Sequence, residues 1–323
     1  VSRRDDVLSA LRAGGPVSGE TLAHELGVSR AAVAKHVSVL RELGYSIDAE
    51  PGAGYWLRGA PDAPLPEEVR PLLISSRWSA LTGGGATGST NDDCKRLARE
   101  GAVAGTVVLA SEQSSGRGRM GRTWESPEGG VYLSALIRPT ISPAEAPPLA
   151  LAAALGVAAG LATLGVEAGV KWPNDVQDAR GRKLAGVLLE ISAEADALEW
   201  AVIGVGLNVL RPSDPPPGAG YVSDSVSDVT RARVAAAVLD GLALALDRFD
   251  AGGFQVLRAD FQSRAILTGR SVVVSDMHGS VRHEGVVQGV DTQGRLILET
   301  DTGEVTVSAG EVTLRSHAGE DPR

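Results

Sequence analysis

The chain has little of what several common chemistries require. It carries one cysteine, Cys94, in 323 residues. That excludes an internal disulfide and any zinc site built from several thiolates, and it fits a reducing cytoplasm, the expected compartment. Five histidines are present, at 24, 36, 278, 283 and 317. All lie outside the central motifs described below, and no persuasive Ser/His/Asp or Cys/His set offers a protein nucleophile. Positive charge is not in excess. The net charge of -9 disfavours blanket adsorption to nucleic acid or membrane, so any DNA binding must come from a local patch. Long apolar runs are also scarce. The one to weigh, 149–166, is mostly Ala and Gly, follows Pro147-Pro148 and has no basic flank; a buried helix is expected there, not a membrane span. The opening residues Val1-Ser2-Arg3-Arg4-Asp5-Asp6 are polar and give no secretory signal.

What is present is globular: 43% hydrophobic and 22% charged residues, with length for two or three domains. In the first sixty residues, Val7, Leu8 and Leu11 mark a short helix that ends at Gly14-Gly15-Pro16. Ser18 can cap a second helix carrying Leu22, Ala23 and Leu26. After the Gly27-Val28 turn, Ser29 caps a third, with Val33, Val37 and Leu40 on one face. Helix, tight turn, helix is the helix-turn-helix pattern, whose second helix enters the major groove. Tyr45 to Ala49, a turn at Pro51-Gly52-Ala53-Gly54 and Tyr55-Trp56-Leu57 read as a β-hairpin wing. Charge does not decide the partner, because seven basic residues balance seven acidic ones over 1–60; a small helical protein-interaction domain is the other reading. A DNA-binding module this small needs a homodimer reading two half-sites. Gly59 to Pro66, with three prolines, is an extended linker.

The centre of the chain is organised around Gly116-Arg117-Gly118-Arg119-Met120-Gly121-Arg122-Thr123-Trp124. Glycine lets a backbone approach a ligand closely, and arginine holds carboxylate or phosphate at any working pH. Apolar strands are expected on either side, over 105–110 and 130–137. The run is then a loop between two strands of one sheet, built to wrap an anion or serving as a flexible Arg/Gly turn. Upstream, Gly83-Gly84-Gly85-Ala86-Thr87-Gly88-Ser89-Thr90 invites a phosphate-loop reading but has Ser89 where that motif needs lysine. Gly204-Val205-Gly206 is a weak dinucleotide cue with no GxGxxG following.

Residues 116–124 resemble the GRGRxGRxW signature of the bacterial biotin protein ligases. Lys171-Trp172-Pro173-Asn174-Asp175 resembles the family's KWPND, and Lys183-Leu184-Ala185-Gly186 its KLAG, in the same order. Ser29-Arg30-Ala31-Ala32 resembles the start of the recognition helix in the ligase/repressor form of that family. The resemblance implies an α+β multidomain chain: an N-terminal winged helix-turn-helix over 1–60, a central SH2-like mixed α/β catalytic domain over 67–268, and a small C-terminal SH3-like β-barrel over 269–316. Five short strands around Gly279, Gly294 and Gly303 fit the last of these, either as an aid to ATP and carrier binding or as a purely structural cap.

The implied activity is that of a biotin–[acetyl-CoA-carboxylase] ligase and biotin-responsive transcriptional repressor. ATP and biotin are substrates, Mg2+ accompanies the ATP, and the partners are the biotin carboxyl carrier protein and operator DNA. The implied biotin contacts are Ser89, Thr90 and Asn91 (the family's STN, at a helix start), Gln113, Arg117, Gly118, Arg119 and Lys183. Here Thr87-Gly88 stands where the family often has an acidic residue before STN. The nucleotide side falls to Arg119, Arg122, Trp124, Lys171, Asn174 and Asn208, with Trp172 expected to pack. Tyr221 ends a proline-rich loop, 212–220, and is the candidate adenine partner where the family usually has tryptophan. DNA contacts are expected from Ser29, Arg30, Ala31, Lys35 and His36. The chemistry requires cations more than nucleophiles: two anions must meet, so Arg117, Arg119 and Lys183 are the candidate catalytic groups. A ligand sensor without catalysis would not need these groups, and a lipoate ligase lacks the glycine-arginine signature.

Overall fold

A computed structural model describes residues 3–50, 52–276 and 278–315. Pro51 of the expected wing turn, His317 and the expected polar tail at 316–323 lie outside the described residues. The chain divides into two compact units, Val1–Ala63 and Pro64–Arg323.

The first unit holds α1 (Arg3–Arg12), α2 (Gly19–Leu26), α3 (Arg30–Glu42), β1 (Ser46–Glu50) and β2 (Gly54–Gly59). Each helix buries its apolar stripe: Val7, Leu8 and Leu11; Leu22 and Ala23; Val33, Val37 and Leu40. Both serine caps form, with Ser18 Oγ accepting from the Thr21 N–H and Ser29 Oγ from the Ala32 N–H, which satisfies donors that a helix start leaves open. Gly27, at φ 63, supplies the left-handed turn that ends α2. The β1–β2 hairpin is antiparallel, and a bridge from Val17 to Tyr55 docks it beside the start of α2. Only glycine fits at 54, where a Cβ would lie 2.1 Å from the Val17 carbonyl oxygen. This is a winged helix-turn-helix. On α3, Arg30, Ala31 and Lys35 are exposed and His36 is half-buried.

The second unit begins with α4 (Pro66–Val69), β3 (Ala80–Gly83), β4 (Ala86–Thr87) and α5 (Thr90–Arg99). It continues through β5 (Thr106–Ala110), β6 (Glu112–Gln113), β7 (Val131–Ile137) and α6 (Pro148–Thr163). Then come β8 (Ala168–Lys171), β9 (Asp175–Asp178), β10 (Lys183–Glu194), β11 (Ala197–Leu207), α7 (Arg231–Gly252) and α8 (Arg258–Arg264). Seven strands form one sheet in the order β3-β5-β7-β11-β10-β9-β8. β3 and β5 are parallel; every other neighbouring pair is antiparallel. β4 and β6 make a separate parallel pair.

Alternation along the strands splits the sheet into two faces. Val107, Leu109, Leu133, Ala135, Ile203 and Val205 face α6 and α7 in the main core. Val108, Leu136, Trp200 and Val202 pack with Cys94 and Ala98 of α5. The apolar run is thus a core helix. Pro143–Thr163 is long and apolar enough to cross a membrane, yet 72% of its apolar 18-residue stretch is buried inside the protein. It has no polar face because it is covered all round. Against α7 the two backbones touch: a Cβ on Gly160 would sit 2.2 Å from the Ala237 carbonyl oxygen, and one on Gly241 2.2 Å from that of Gly156.

The C-terminal strands are β12 (Ser271–Ser275), β13 (Val281–Val290), β14 (Leu296–Thr300), β15 (Gly303–Val307) and β16 (Glu311–Leu314). They form an antiparallel sheet ordered β15-β14-β13-β12-β16. Val272, Val274, Val287 and Leu298 belong to the same buried cluster as the central sheet, and the Trp172 indole donates to the Gly294 carbonyl at 3.0 Å. Trp172, 3% exposed, therefore packs, as expected.

Candidate active site

The glycine-arginine run leaves β6 and returns into β7 as a closed turn. The Trp124 N–H donates to the Gly116 carbonyl at 3.0 Å, and the Gly118 N–H to the Arg122 carbonyl at 2.7 Å. Two glycines are dictated by geometry. At 116 a Cβ would lie 2.4 Å from both Ser126 Oγ and the Trp124 carbonyl oxygen, and Gly121 sits at φ 73, a conformation glycine adopts without strain. Beyond the turn, the Trp124 indole lies in a slot on the sheet. A Cβ on Gly206 would come within 2.4 Å of its Nε1, and one on Gly204 within 2.1 Å of Asn91 Oδ1. The two glycines of Gly204-Val205-Gly206 are seats for these side chains.

Beneath the loop is a cleft. Of the expected ligand contacts, Ser89, Asn91, Gln113, Arg117, Gly118, Arg119, Arg122, Trp124, Lys171, Asn174 and Lys183 line it. Its floor is a hydrogen-bonded polar group. Gln113 Oε1 accepts from the Thr90 N–H (2.8 Å) and hydroxyl (3.1 Å), while Gln113 Nε2 donates to Ser126 Oγ (2.9 Å). Asn91 Oδ1 accepts from the buried Ser134 hydroxyl, and its Nδ2 donates to Glu190 at 2.7 Å. Ser89 caps nothing: its side chain makes no cap hydrogen bond to α5, so its hydroxyl is not committed to the helix.

The cations come with partners. Lys183 Nζ is 2.7 Å from Asp175 Oδ1 and 5.1 Å from the centre of the Trp124 ring. Arg117 donates both terminal nitrogens to Asp92, at 2.7 and 2.6 Å. Arg122 makes the same fork to Glu311 of β16, at 2.7 Å through Nη1. Among the described residues Arg119 hydrogen-bonds only the neutral Asn174 Oδ1, at 3.3 Å, and burial pushes its guanidinium below the usual arginine range. Asn174 is fixed from the other side by donating to the Val187 carbonyl at 2.7 Å. The acids respond in turn. The hydrogen bond from Arg117 holds the Asp92 carboxyl down at about 2, and that from Arg122 lowers Glu311. Burial works to raise Glu190, but hydrogen bonds from Lys95 and Asn91 outweigh it and the net shift is downward.

Three expected contacts lie behind the cleft instead of lining it. Thr90 is 3% exposed and orients Gln113. Asn208 donates to the Lys183 carbonyl at 3.1 Å, bracing the strand that carries the lysine. Tyr221 is buried, with Arg211 4.9 Å from its ring centre. The proline-rich loop before it pairs with the backbone of Lys183: the Lys183 N–H donates to the Gly218 carbonyl at 2.8 Å, and the Gly220 N–H to the Lys183 carbonyl at 2.9 Å. Residues that sequence reasoning passed over are the acids (Asp92, Asp175, Glu190, Glu311), together with Lys95 and Ser134. Asp175 was readable, since it stands inside the KWPND-like motif. The others come from elements whose proximity no spacing reveals.

Comparison with known proteins follows the same division. Residues 3–56 match a family described as "HTH domain", 84–208 the "Biotin/lipoate A/B protein ligase family", and 268–315 the "Biotin protein ligase C terminal domain". The chain is 32% identical over 307 residues to the "Bifunctional ligase/repressor BirA" of Bacillus subtilis, covering 92% of this chain and 94% of that protein. It is 38% identical over 261 residues to the "Biotin--[acetyl-CoA-carboxylase] ligase" of Mycobacterium tuberculosis, covering 77% of this chain and 95% of the relative. Among solved structures, a biotin protein ligase from Aquifex aeolicus in complex with biotin and ATP superposes with a TM-score of 0.62 at 28% identity, covering 74% of this chain and all of that one.

Proposed function

The chain belongs to the biotin protein ligase family, and from that premise we propose how its cleft works. It is a biotin–[acetyl-CoA-carboxylase] ligase that also acts as a repressor. In the first step the biotin carboxylate attacks the α-phosphorus of ATP, pyrophosphate leaves, and a mixed anhydride, biotinyl-5′-AMP, remains. In the second, a lysine amine of the biotin carboxyl carrier protein attacks the acyl carbon, AMP leaves and an amide forms.

Both reactants of the first step are anions, so fixed cations must offset their repulsion. Lys183, Arg119 and Arg117 take that role, with Lys183 Nζ exchanging Asp175 for the reacting oxygens. The ureido ring of biotin lies toward Ser89, Thr90, Asn91 and Gln113, whose amides and hydroxyls suit a neutral polar ring. The nucleotide lies toward Arg122, Lys171, Asn174 and Trp124. Mg2+ enters with the ATP phosphates as part of that substrate. Asn208 and Tyr221 support the nucleotide side from behind, through Lys183 and the proline-rich loop. The observation that carries this reading is that three segments separate in sequence, 116–124, 171–175 and Lys183, line one cleft and bring Arg117, Arg119, Arg122, Lys171 and Lys183 to it. The anhydride is protected where the loop excludes water.

The first unit carries the second activity. Ser29, Arg30, Ala31, Lys35 and His36 face operator DNA, and two copies read paired half-sites. For the homodimer we assign the free edge of β10. That strand pairs with β11 to Glu194 but with β9 only as far as Gly186; past the Val187 N–H, which donates to the Asn174 carbonyl, its outer edge has no strand partner among the described residues, which suits a second copy or a carrier protein.

The test supplies ATP, Mg2+, carrier protein and either biotin or lipoate, and reads mass gain on the carrier. Biotin addition to one lysine is expected, undiminished by excess lipoate. Lipoate addition, or no addition with a proven carrier, contradicts the assignment.

A further inference from the structure

We propose that Glu190 is a positioning residue that sets which end of the Asn91 amide serves the cleft floor, and so makes the site select a ring that presents N–H groups. A carboxylate can only accept. Glu190, on β10, accepts from Asn91 Nδ2 on one oxygen (2.7 Å) and from Lys95 Nζ on the other (2.6 Å). Those bonds keep it ionised against its burial. The nitrogen of Asn91 must therefore face Glu190, which leaves Oδ1 at the opposite end. The hydroxyl of Ser134, 0% exposed, donates to that oxygen and lies 2.8 Å from Thr90 Oγ1. A hydroxyl can donate or accept, so Ser134 would serve either end of the amide. Glu190 is the group that dictates the choice. Gln113 differs: the Thr90 backbone N–H fixes its Oε1 at 2.8 Å.

The oxygen end is the one turned to the sheet under the cleft. Asn91 and Gly204 both line it, and a Cβ on Gly204 would come 2.1 Å from Asn91 Oδ1 but 3.0 Å from Nδ2. Glu190, Ser134 and Thr90 are not among the lining residues, so Glu190 reaches the floor through Asn91. It has one other contact there, Arg117 Nη2 at 3.5 Å. Two amide oxygens, of Asn91 and Gln113, thus give the floor acceptor character. A ureido ring offers two N–H donors to such a floor. An analogue with oxygen in place of an N–H would set lone pair against lone pair, and a site built to hydrogen-bond a donor rejects the analogue without it. A glutamine at 190 could donate or accept, so the Asn91 amide would be free to reverse. The geometry stands by itself; the identity of the ring rests on the ligase reading.

The experiment compares wild type, Glu190→Gln, Lys95→Met, and Asn91→Asp combined with Glu190→Gln. Pyrophosphate exchange is measured with biotin and with the two cyclic carbamates in which one or the other ring N–H of biotin is replaced by oxygen. In Glu190→Gln the preference for biotin over the poorer carbamate should narrow about ten-fold, the order of one hydrogen bond, through a raised KM for biotin with kcat kept. Lys95→Met should keep the wild-type preference, because Asn91 still meets a carboxylate. In the double variant an aspartate accepts from both the glutamine and Ser134, so the preference should return although the Arg117 contact is still missing. An unchanged preference in Glu190→Gln, an equal narrowing in Lys95→Met, or no recovery in the double variant overturns the proposal. The side-chain amide of Asn91 is also followed by nuclear magnetic resonance on nitrogen-labelled, ligand-free protein. Its protons should be protected from exchange in wild type and Lys95→Met and lose that protection in Glu190→Gln. That pattern in a protein that forms no biotinyl-AMP would keep the role of Glu190 and remove the ligase reading. Normal biotinyl-AMP formation with an Asn91 amide indifferent to Glu190→Gln would do the reverse.

Discussion

The two units use positive charge in opposite ways. On α3, Arg30 and Lys35 have no ionic or hydrogen-bonding partner among the described residues. In the cleft, Lys183, Arg117 and Arg122 each rest on a carboxylate of the protein itself. Unpaired surface cations suit a polyanion, whose binding is driven by counterion release and falls steeply with salt. Paired cations must exchange an internal carboxylate for a ligand oxygen, so they favour an anion that also fits the cleft over one that merely carries charge. A chain with a net charge of -9 can thus keep both sites without becoming a general anion sink.

The sharpest way to break that contrast is Lys183→Ala. Pyrophosphate exchange should fall by ~100-fold or more, on the scale of losing a preorganised electrostatic group, with the melting temperature held. Wild-type exchange would remove Lys183 from the chemistry. Gly206→Ala comes next. The added methyl meets the Trp124 indole, whose face lies toward the Lys183 amine, so stability should drop by ~1–3 kcal/mol in denaturant titration and adenylation should weaken with it. An unchanged midpoint would mean that the indole moves aside freely. Arg30→Ala with Lys35→Ala should leave adenylation intact and flatten the log–log salt dependence of DNA binding by about 1 for each phosphate that the variant no longer neutralises. An unaltered slope would place the DNA-binding surface elsewhere.

The smallest effect is on pH. Asp92, Glu190 and Glu311 have folded-state values below their ordinary ones. A depressed carboxylate contributes stability that is present above its unfolded value and lost as pH falls through the folded one. For Asp92 that window runs from the ordinary value of 3.8 down to about 2. Thermal unfolding of wild type should therefore weaken between pH 4 and 2.5 more steeply than that of Asp92→Asn; parallel curves would mean that the pair with Arg117 contributes nothing.

Much of this was legible in the sequence, and the limit falls at a physical boundary. Residues that act through local backbone geometry could be read directly: the caps Ser18 and Ser29, the turn glycine Gly27, the strands either side of 116–124, and the apolar run that became α6. The motifs around Lys171 and Lys183 also declared themselves, because one short segment carries the whole signal. The partners of the cations did not. Asp92 and Arg117 are 25 positions apart, Arg117 and Glu190 73, and Arg122 and Glu311 189; an acid that meets an arginine only after the sheet has formed leaves no periodicity to find. Short α8, packed on the edge strand β8, and the two-residue strands β4 and β6 likewise have no strong pattern of their own. Tyr221 and Asn208 were placed by order along the chain, which gives the neighbourhood of the cleft but not its lining.

The most direct measurement is to incubate the protein with labelled biotin, α-labelled ATP and Mg2+, desalt it, and count both labels on the protein together with the pyrophosphate set free. The account predicts biotin and AMP retained in equal amounts, one pyrophosphate released for each, and neither label held by Lys183→Ala. Retention of biotin without AMP, with no pyrophosphate formed, would contradict it.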